Sequence, residues 1–429
     1  MQRLFKLLAA ATLALATFAF AQITTAADRY VATNGTGNGL SGWANATNNL
    51  QGAIDAIDSG TVWVSNGVYQ TGGVTNYPTG ANCFLTNRIA IWKAITVRSA
   101  NNDPINTVIK GEWNPVTTNG PAAVRCVYMT NGSSLIGFTL TNGAGLTTNE
   151  VPVGIQRWDL SGGGVFSQSY LTTISNCIIT GNSSAGDGGG AYNGRFFNCA
   201  VIGNRAYGGA GFVQGDADCV LSNCVVVGNW AKKYAGGARI ATLYNCSLIS
   251  NSSDGAGGAV EACNLYNCVL FGNRSAARGG AVNAYYGGIY KNCTIVSNYS
   301  ATGGGGVDNN SGVQGIAKYV NCIIYFNTSG ATYSNWYSIG QVDNFTNSCI
   351  APATTNVGSV GNITADPMFI DKDTGNYRLS SSSPCINAGY YESWMATGLD
   401  LDNRIRLRYG KVDMGAYEFI RSGTIYGFH

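Results

Sequence analysis

The phrase "NCVLFGNRSAARGG", residues 267–280, decides the fold because the chain repeats it. Related phrases are "NCAVIGNRAYGG" at 198–209, "NCVVVGNWAKKYAGG" at 223–237 and "NCSLISNSSDGAGG" at 245–258. The template Asn-Cys-x-aliphatic-x-x-Asn occurs seven times between residues 176 and 327, at steps of 22 to 29 residues. A recurrence of this length is typical of a solenoid, in which each repeat forms one turn of a stacked coil.

Within each copy the hydrophobic pattern has a period of two. The cysteine and the residue two positions later are apolar, whereas the residue between them varies freely. This pattern predicts a short strand with one constant face turned inward. Glycine pairs beginning at 189, 208, 236, 257, 279 and 304 predict a second strand in each coil. We therefore expect an all-β, right-handed parallel β-helix with strands roughly 4.8 Å apart.

Asparagine and glycine are expected at the bends of each coil. Asparagine tolerates left-handed backbone and can hydrogen-bond to the asparagine one coil away, and glycine avoids side-chain clashes at sharp corners. The stretch "IGFTLTNG" at 136–143 resembles an eighth coil with Phe138 in place of the cysteine.

The open end of a β-helix needs a cap, because it exposes apolar core and unpaired strand edges. In "TNNLQGAIDAI", residues 47–57, Leu50, Ala53, Ile54 and Ile57 have the spacing of an amphipathic helix, with Asn48 or Asn49 near its start. "TVWVSNGVY" at 61–69 then predicts the first strand and turn.

The first 21 residues predict export. A basic start, an apolar stretch and a small-x-small end before Gln22 are typical of a secretory signal peptide. The sequence holds no later run of 18 apolar residues, so we expect a secreted or cell-surface protein without a transmembrane segment in the mature chain, and a monomer. A net charge of +3 with 11% charged residues argues against nucleic acid as a partner.

The histidine content restricts the chemistry. The single histidine of the sequence is His429, the last residue. A Ser-His-Asp triad, a Cys-His pair and a histidine zinc site are therefore excluded.

Three stretches resemble known families. "YVATNGTGNG", "NLQGAIDAI" and "VWVSNGVY" together resemble the N-terminal segment of secreted pectate-lyase-like β-helix proteins. "ADPMF" at 365, "GNYRLSSSSPCINAG" at 375, "DLDNRIR" at 400 and "VDMGAYEF" at 412 resemble the C-terminal segment of choice-of-anchor bacterial surface proteins. The "GN…GGA" rhythm is similar to the repeats of polymorphic outer-membrane adhesins. These resemblances imply a β-helix and export, and they supply no catalytic residue.

The resulting organisation has four parts. We expect the signal peptide at 1–21, the N-terminal cap and first coil at 28–75, the β-helix repeats at 76–350, and C-terminal coils with a cap at 351–420.

The cysteines have a structural and a chemical interpretation. Buried thiols acting as small apolar side chains are favoured for the seven stacked cysteines, while disulfides between coils, or metal and redox use, remain alternatives. The other six, whose spacings do not match a zinc knuckle, are expected in the core: Cys83, Cys126, Cys219, Cys263, Cys349 and Cys385.

The loops after the second asparagine are the predicted ligand-binding site. They carry basic and aromatic side chains that stacking would align along one edge of the helix, where they suit sugar rings and carboxylates or sulfates. Alternatively, these loops are simply where a solenoid exposes polar residues. The predicted binding residues are Arg205, Tyr207, Trp230, Lys232, Lys233, Tyr234, Arg274 and Arg278, with Tyr299 beside them.

A second column after the glycine pairs offers candidate catalytic residues. It comprises Asn193, Arg239, Glu261, Asn283 and Asp308. Polysaccharide lyases of this fold abstract a proton beside a uronate carboxylate and neutralise that carboxylate with calcium or a cation. By this analogy Glu261 and Asp308 would hold calcium, and Arg239 or Lys232 would act as base. "DKDTGN" at 371–376 is expected to be a turn, with calcium binding as the alternative.

The leading functional hypothesis is a non-catalytic, adhesin-like β-helix that binds extracellular polysaccharide or cell-surface glycans without a cofactor. The alternative is a polysaccharide lyase that cleaves uronate-containing glycans by calcium-assisted β-elimination, so enzymatic activity stays open. The catalytic candidates for that alternative are Arg239, Glu261 and Asp308.

Overall fold

The computed structural model describes residues 28–79, 83–151, 156–213, 218–309, 315–339, 343–354 and 358–420. In this part of the chain the strands of successive coils stack into four parallel sheets that run along the helix axis. We number them in the order in which one coil visits them. The predicted signal peptide lies outside the described residues.

Sheets 1 and 2 meet at the Asn-Cys corner of each coil. Sheet 1 comprises Arg29–Val31, Thr61–Val64, Thr96–Ser99, Ser134–Ile136, Thr173–Ser175, Arg195–Phe197, Val220–Ser222, Thr242–Tyr244, Asn264–Tyr266, Gly288–Lys291, Ala317–Val320 and Asn344–Thr346. Sheet 2 comprises Gly67–Tyr69, Thr107–Lys110, Thr139–Thr141, Ile178–Thr180, Ala200–Ile202, Val225–Val227, Ser247–Ile249, Val269–Phe271, Thr294–Val296, Ile323–Tyr325 and Cys349–Ile350.

Sheets 3 and 4 complete the coil. Sheet 3 comprises Ser183–Asp187, Arg205–Gly208, Trp230–Ala231, Ser252–Ser253, Arg274–Ser275, Tyr299–Ser300 and Thr328–Ser329. Sheet 4 comprises Thr86–Ile91, Val124–Met129, Val165–Ser167, Ala191–Tyr192, Phe212–Val213, Ala238–Arg239, Val260–Glu261, Val282–Asn283, Val307–Asn309 and Trp336–Ser338. The predicted parallel β-helix is confirmed.

The first asparagine of each template forms the corner between sheets 1 and 2. All seven have left-handed backbone, with φ between +50° and +60°, in the region that asparagine tolerates better than most residues. These residues are Asn176, Asn198, Asn223, Asn245, Asn267, Asn292 and Asn321. In the coil at 136–143, Gly137 takes this corner with φ +81°, and Phe138 is buried as predicted.

The second asparagine of each template is buried and forms a continuous ladder. From Asn204 onward, the side-chain oxygen accepts a hydrogen bond from the backbone N–H of the asparagine one coil earlier, at 2.9–3.1 Å, whereas that of Asn182 accepts from the backbone N–H of Gly143 at 2.8 Å. The side-chain amide of each one donates to a backbone carbonyl of the preceding coil, as Asn204 does to Ile179 at 2.9 Å. The asparagine ladder comprises Asn182, Asn204, Asn229, Asn251, Asn273, Asn298 and Asn327.

The cysteine after each corner points into the core. Each thiol donates to the backbone carbonyl two residues before it, at 3.2–3.5 Å. All thirteen cysteines of the chain are buried. The cysteine ladder comprises Cys177, Cys199, Cys224, Cys246, Cys268, Cys293 and Cys322. The prediction that these residues act as small core side chains is confirmed.

The N-terminal cap is helix α1, Leu50–Asp55. Its N-cap is Asn49, whose side chain accepts from the backbone N–H of Gly52 at 2.8 Å. Gln51 bonds to both the N–H and the carbonyl of Ala90 on the first strand of sheet 4, so its amide takes the place of a neighbouring strand. The predicted first strand was wrong, because Arg29–Val31 precedes Thr61–Val64 and pairs with it.

The C-terminal part folds back along the coils and covers the outward face of the last coils of sheet 2. It contains the antiparallel hairpin Phe369–Asp371 with Asn376–Leu379, and the predicted turn at 371–376 joins these two strands. Tyr377, Leu379, Cys385 and Met414 pack in one apolar cluster with outward residues of the last coils of sheet 2. The other helical elements described are α2, Gln156–Leu160, and two 3₁₀ turns, Trp43–Asn45 and Ser393–Ala396.

Candidate ligand-binding strip

Sheet 3 presents the predicted basic and aromatic residues on its outward face. Arg205 pairs in register with Trp230, which pairs with Ser252, and the same row continues through Arg274 to Tyr299. The alternate residues are small and buried: Ala206, Ala231, Ser253, Ser275 and Ser300. We call Arg205, Tyr207, Trp230, Lys232, Lys233, Tyr234, Arg274 and Tyr299 the strip.

The prediction that these segments are loops was wrong for part of the strip. Arg205–Gly208, Trp230–Ala231, Arg274–Ser275 and Tyr299–Ser300 are strands, because coils that stack in register bring their backbones within hydrogen-bonding distance. Lys232, Lys233 and Tyr234 follow the strand and remain in an exposed turn, as predicted. Strand pairing therefore holds the backbone of Arg205, Trp230, Arg274 and Tyr299 more rigidly than that of the turn.

The N-terminal half of the strip is a cluster of cations over aromatic rings. The Arg205 guanidinium lies 5.9 Å from the Trp230 ring centre, and the Lys233 ammonium lies 5.1 Å from Tyr234 and 5.9 Å from Tyr207. Hydrogen bonding to Tyr234 raises the pKa of Lys233 above its ordinary value, so Lys233 is a cation at neutral pH.

Two side-chain contacts define the positions of the aromatic rings along the helix axis. The indole N–H of Trp230 donates to the Asp254 carboxylate at 3.2 Å, which fixes the orientation of the ring. Further along, the Arg274 guanidinium lies 4.2 Å from the Tyr299 ring centre. Trp230 and Arg274 are two coils apart, so roughly 10 Å separates the two cation-aromatic clusters.

Arg278 does not belong to the strip. It lies beside Asp308 on sheet 4: a Cβ on Gly303 would meet both Asp308 Oδ2 and, at 3.2 Å, the Cγ of Arg278, and the charge of Arg278 lowers the pKa of Asp308. The side chain is half-buried, whereas Arg205, Lys232 and Arg274 are exposed. The prediction grouped Arg278 with the strip because its loop is continuous in sequence with Arg274.

The second predicted column is a row on the outward face of sheet 4. Arg239, Glu261, Asn283 and Asp308 occupy one position on four successive coils, as predicted. The inclusion of Asn193 was wrong, because Tyr192 and Val213 occupy this position in the two preceding coils. Asn193 instead has left-handed backbone and accepts from the Cys219 thiol at 2.7 Å.

Arg239 and Glu261 neutralise each other. Their side chains form a salt bridge of 3.3 Å, and Asn283 donates to the other oxygen of Glu261, also at 3.3 Å. The opposite side of the Arg239 guanidinium lies 4.1 Å from the ring centre of Tyr234, which joins this row to the strip. Burial raises the pKa of Glu261, and the charge of Arg239 opposes that shift.

Asp308 ends the polar part of the row. One of its oxygens accepts the backbone N–H of Gly304 at 2.8 Å, and the other, Oδ1, has no hydrogen-bond partner. Burial raises the pKa of Asp308 to about 6, with the Gly304 N–H and Arg278 acting in the opposite direction. Gly303 is required beside it, since a Cβ at this position, where φ is +70°, would lie 2.0 Å from Oδ2.

The row does not assemble the predicted calcium site. Both oxygens of Glu261 are taken by Arg239 and Asn283, and the coil of Asn283 separates Glu261 from Asp308. Over the described residues, no group of three or more His, Cys, Asp or Glu side chains is placed to hold a metal ion. Arg239 is held by its ion pair, so it is a poor base, and the other predicted base, Lys232, lies on the strip instead.

Two carboxylates near these residues were missed by sequence reasoning. Burial raises the pKa of Asp187. The nearby charge of Arg239 opposes this shift but is the smaller of the two effects. Asp254 orients Trp230. Both residues lie in the variable part of their coil, where the repeat does not align one coil with the next.

A cleft of about 740 Å³ lies at the N-terminal cap, away from the strip. Its lining includes Asn48, Gln51, Asp55, Gln70 and Arg88. Arg88 donates to the carbonyl oxygens of Lys110, at 2.8 Å, and of Gly72, so this cation holds the first coils together. Since Gln51 also bonds to the backbone of Ala90, the polar groups of the cleft serve the cap, and we place the candidate site on the strip.

Comparisons with known proteins support the fold. No family model matches the chain, and no curated protein matches it. Among solved structures, pectate lyase Pel9A is 17% identical with a TM-score of 0.56, over 91% of this chain and 96% of that one. A rhamnogalacturonan lyase is 12% identical with a TM-score of 0.39, over 83% and 95% of the two chains.

A third structure is tailspike protein gp49 of Acinetobacter baumannii bacteriophage Fri1, a capsular polysaccharide depolymerase. It is 12% identical with a TM-score of 0.37, over 70% of this chain and 54% of that one. The likenesses to the depolymerase and the rhamnogalacturonan lyase are too low to carry an argument. The resemblances to choice-of-anchor proteins and adhesins stay predictions. At these levels of identity, the comparisons show that this chain has the parallel β-helix fold of pectate lyase Pel9A.

Proposed function

We propose that this protein binds extracellular polysaccharide along the strip without cleaving it. The observation that carries the proposal is the outward row of sheet 3, in which Arg205 with Trp230, and Arg274 with Tyr299, form two cation–aromatic pairs separated by the coil of Ser252. Aromatic faces stack on the apolar faces of sugar rings, and guanidinium groups bind carboxylate or sulfate through paired hydrogen bonds. A row of such groups along the helix axis suits an extended chain.

The strand-paired part of the strip is ordered before any ligand arrives. Arg205, Trp230 and Arg274 stand on paired strands, and Trp230 is held by Asp254. A surface whose side chains are already oriented loses less conformational entropy on binding. Moreover, the coil spacing of roughly 4.8 Å is close to the length of one pyranose residue in an extended chain, so successive coils can contact successive sugars.

Export is part of the proposal. The predicted signal peptide would carry the chain to the extracellular polysaccharide. Among the described helices, none is long and apolar enough to cross a membrane.

Lyase activity is the second candidate, because Asp308 is a buried carboxyl group with a free oxygen and a pKa of about 6. Such a group can accept a proton near neutral pH. Against this candidate, the neighbouring Arg239 and Glu261 are paired with each other, and Asp308 has little contact with solvent.

Affinity electrophoresis in gels containing neutral, uronate-bearing or sulfated polysaccharides tests the proposal. We expect retardation of the wild type in at least one charged polysaccharide, and we expect the double variant Trp230→Ala, Lys232→Ala to lose most of it. The matched control is Tyr409→Ala, Lys411→Ala, which removes an aromatic residue and a lysine at the same spacing from the C-terminal part.

Equal retardation of the two double variants would contradict the assignment of binding to the strip. The same polysaccharides, followed by the ultraviolet absorbance of unsaturated uronate with and without calcium, test the second candidate. A steady rise that Asp308→Asn abolishes would replace the binding proposal with lyase activity.

A further inference from the structure

Cys349 and Cys385 come from different parts of the fold and meet at their interface. Cys349 begins the last strand of sheet 2, and Cys385 lies in the C-terminal part that covers this sheet. Both are fully buried in the same apolar cluster, with Ile323, Tyr377 and Met414. The Cys385 side chain is the largest cause that raises the pKa of Cys349, so the two thiols are neighbours in this cluster, and the Cys349 thiol also lies 3.3 Å from the carbonyl oxygen of Ala365.

This pair differs from the cysteine ladder in direction. The ladder thiols point into the core of the β-helix, where each follows an asparagine corner and donates to the carbonyl two residues before it. Cys349 is in register with Ile323, whose side chain lies on the outward face of sheet 2, and the next residue, Ile350, points into the core. Cys349 therefore faces the C-terminal part, and Cys385 approaches it from outside the coil.

The covering part of the chain has little secondary structure to hold it in place. Its regular elements in the described residues are one short hairpin and one 3₁₀ turn. Its polar attachments to the coils include two hydrogen bonds between Asn321 and Tyr390, one from the Gly415 N–H to the Asn321 carbonyl, and the salt bridge of Lys291 with Glu392 at 2.7 Å. A covalent link between residues 36 positions apart, from 349 to 385, would restrict the unfolded chain and keep the segment on the sheet.

We propose that Cys349 and Cys385 form a disulfide when the chain folds in an oxidising compartment, and that this bond fastens the C-terminal part to the β-helix. The reaction is a thiol–disulfide exchange with a small disulfide such as glutathione disulfide. One cysteine thiolate attacks the oxidant and releases one glutathione thiolate, and the second cysteine then attacks the mixed disulfide and releases the other. Two thiols are oxidised and one glutathione disulfide is reduced to two thiols.

Exchange occurs while the C-terminal part docks, because both sulfurs are inaccessible once it is in place. The test is therefore a refolding experiment on the full chain. Reduced, denatured protein is refolded in a glutathione redox buffer or in dithiothreitol, quenched in acid, denatured, alkylated without reductant and digested with trypsin. We expect the redox buffer to yield peptide 319–372 cross-linked to peptide 379–404, and dithiothreitol to yield both peptides alkylated.

Peptide 319–372 also contains Cys322, so the control variants separate the two sulfurs. Cys385→Ser should abolish the cross-link, Cys349→Ser should abolish it as well, and Cys322→Ser should retain it. Fragment ions of the wild-type cross-link identify the linked cysteine even if Cys322→Ser fails to fold. Full alkylation of Cys349 and Cys385 after refolding in the redox buffer, or cross-links confined to the cysteine ladder, would overturn the proposal.

Discussion

The asparagine ladder and the strip lie on the same coils, with the same spacing, and differ in what their residues contact. Ladder side chains are buried and bond to each other and to backbone groups of neighbouring coils, so each position depends on the coils around it. Strip side chains are exposed or half-buried, and they contact a nearby ring, cation or carboxylate. One column is therefore uniform along the chain, whereas the other changes from coil to coil.

The largest effect is expected from Asn251→Ala in the middle of the asparagine ladder. The substitution removes the acceptor for the backbone N–H and side-chain amide of Asn229, and the donor to the carbonyl of Val226. Several buried polar groups without partners, each costing about 1–3 kcal/mol, should lower the free energy of unfolding by about 4 kcal/mol. Urea unfolding followed by circular dichroism measures this change.

Asn245→Gly is the matched control in the same coil. Asn245 forms the corner, with φ +53°, and its side-chain hydrogen bonds with Asn223 and Asn267 lie at the partly exposed surface. Glycine suits this backbone, so we expect a change within about 1 kcal/mol. Similar losses at positions 245 and 251 would contradict the division between corner and ladder.

A smaller effect for each residue should follow from pH, through two buried carboxyl groups in the last coils. Burial raises the pKa of Asp308 and of Asp343 to about 6, above the usual value of 3.8. In this window the folded state binds more protons than the unfolded state, so these groups make stability fall as pH rises from about 4 to 6. The loss is about 3 kcal/mol for each group that ionises fully.

Urea midpoints across this pH range check the expectation. In Asp308→Asn the group at position 308 no longer ionises, so the midpoint should fall less steeply with pH than in the wild type. An unchanged slope in the variant would contradict the raised pKa of Asp308.

The structure of the coil was predictable from the repeat, because each coil needs asparagine, cysteine and glycine at the same corners and core positions. It predicted the sheet register for Arg239, Glu261, Asn283 and Asp308. The register failed at Asn193, since three consecutive glycines at 188–190 allow two alignments of the glycine pair, and only the backbone pairing of Ala191 with Phe212 distinguishes them.

The contacts of the variable residues were less predictable. The salt bridge of Arg239 with Glu261 and the position of Arg278 near Asp308 depend on side-chain directions across coils. The repeat pattern does not determine these directions. The packing of Cys385 against Cys349 joins residues far apart in the chain and outside the repeat, where periodicity carries no information.

The smallest effect sharpens the comparison within a single strand. Val226 points into the core between Val201 and Leu248 and is fully buried, whereas its neighbour Val225 is 41% exposed on the outward face of sheet 2. Valine and threonine have nearly the same shape and both favour strands, so Val→Thr isolates the cost of a hydroxyl group.

We expect Val226→Thr to lower the free energy of unfolding by about 2 kcal/mol, because the new hydroxyl is buried in an apolar layer. Val225→Thr should change it by less than about 0.5 kcal/mol, since water solvates the hydroxyl there. Both are measured by urea unfolding under the same conditions as the wild type. Equal costs would mean that the outward face of sheet 2 at Val225 is covered. The contrast between buried and exposed side chains would then hold for sheet 3 but not for sheet 2.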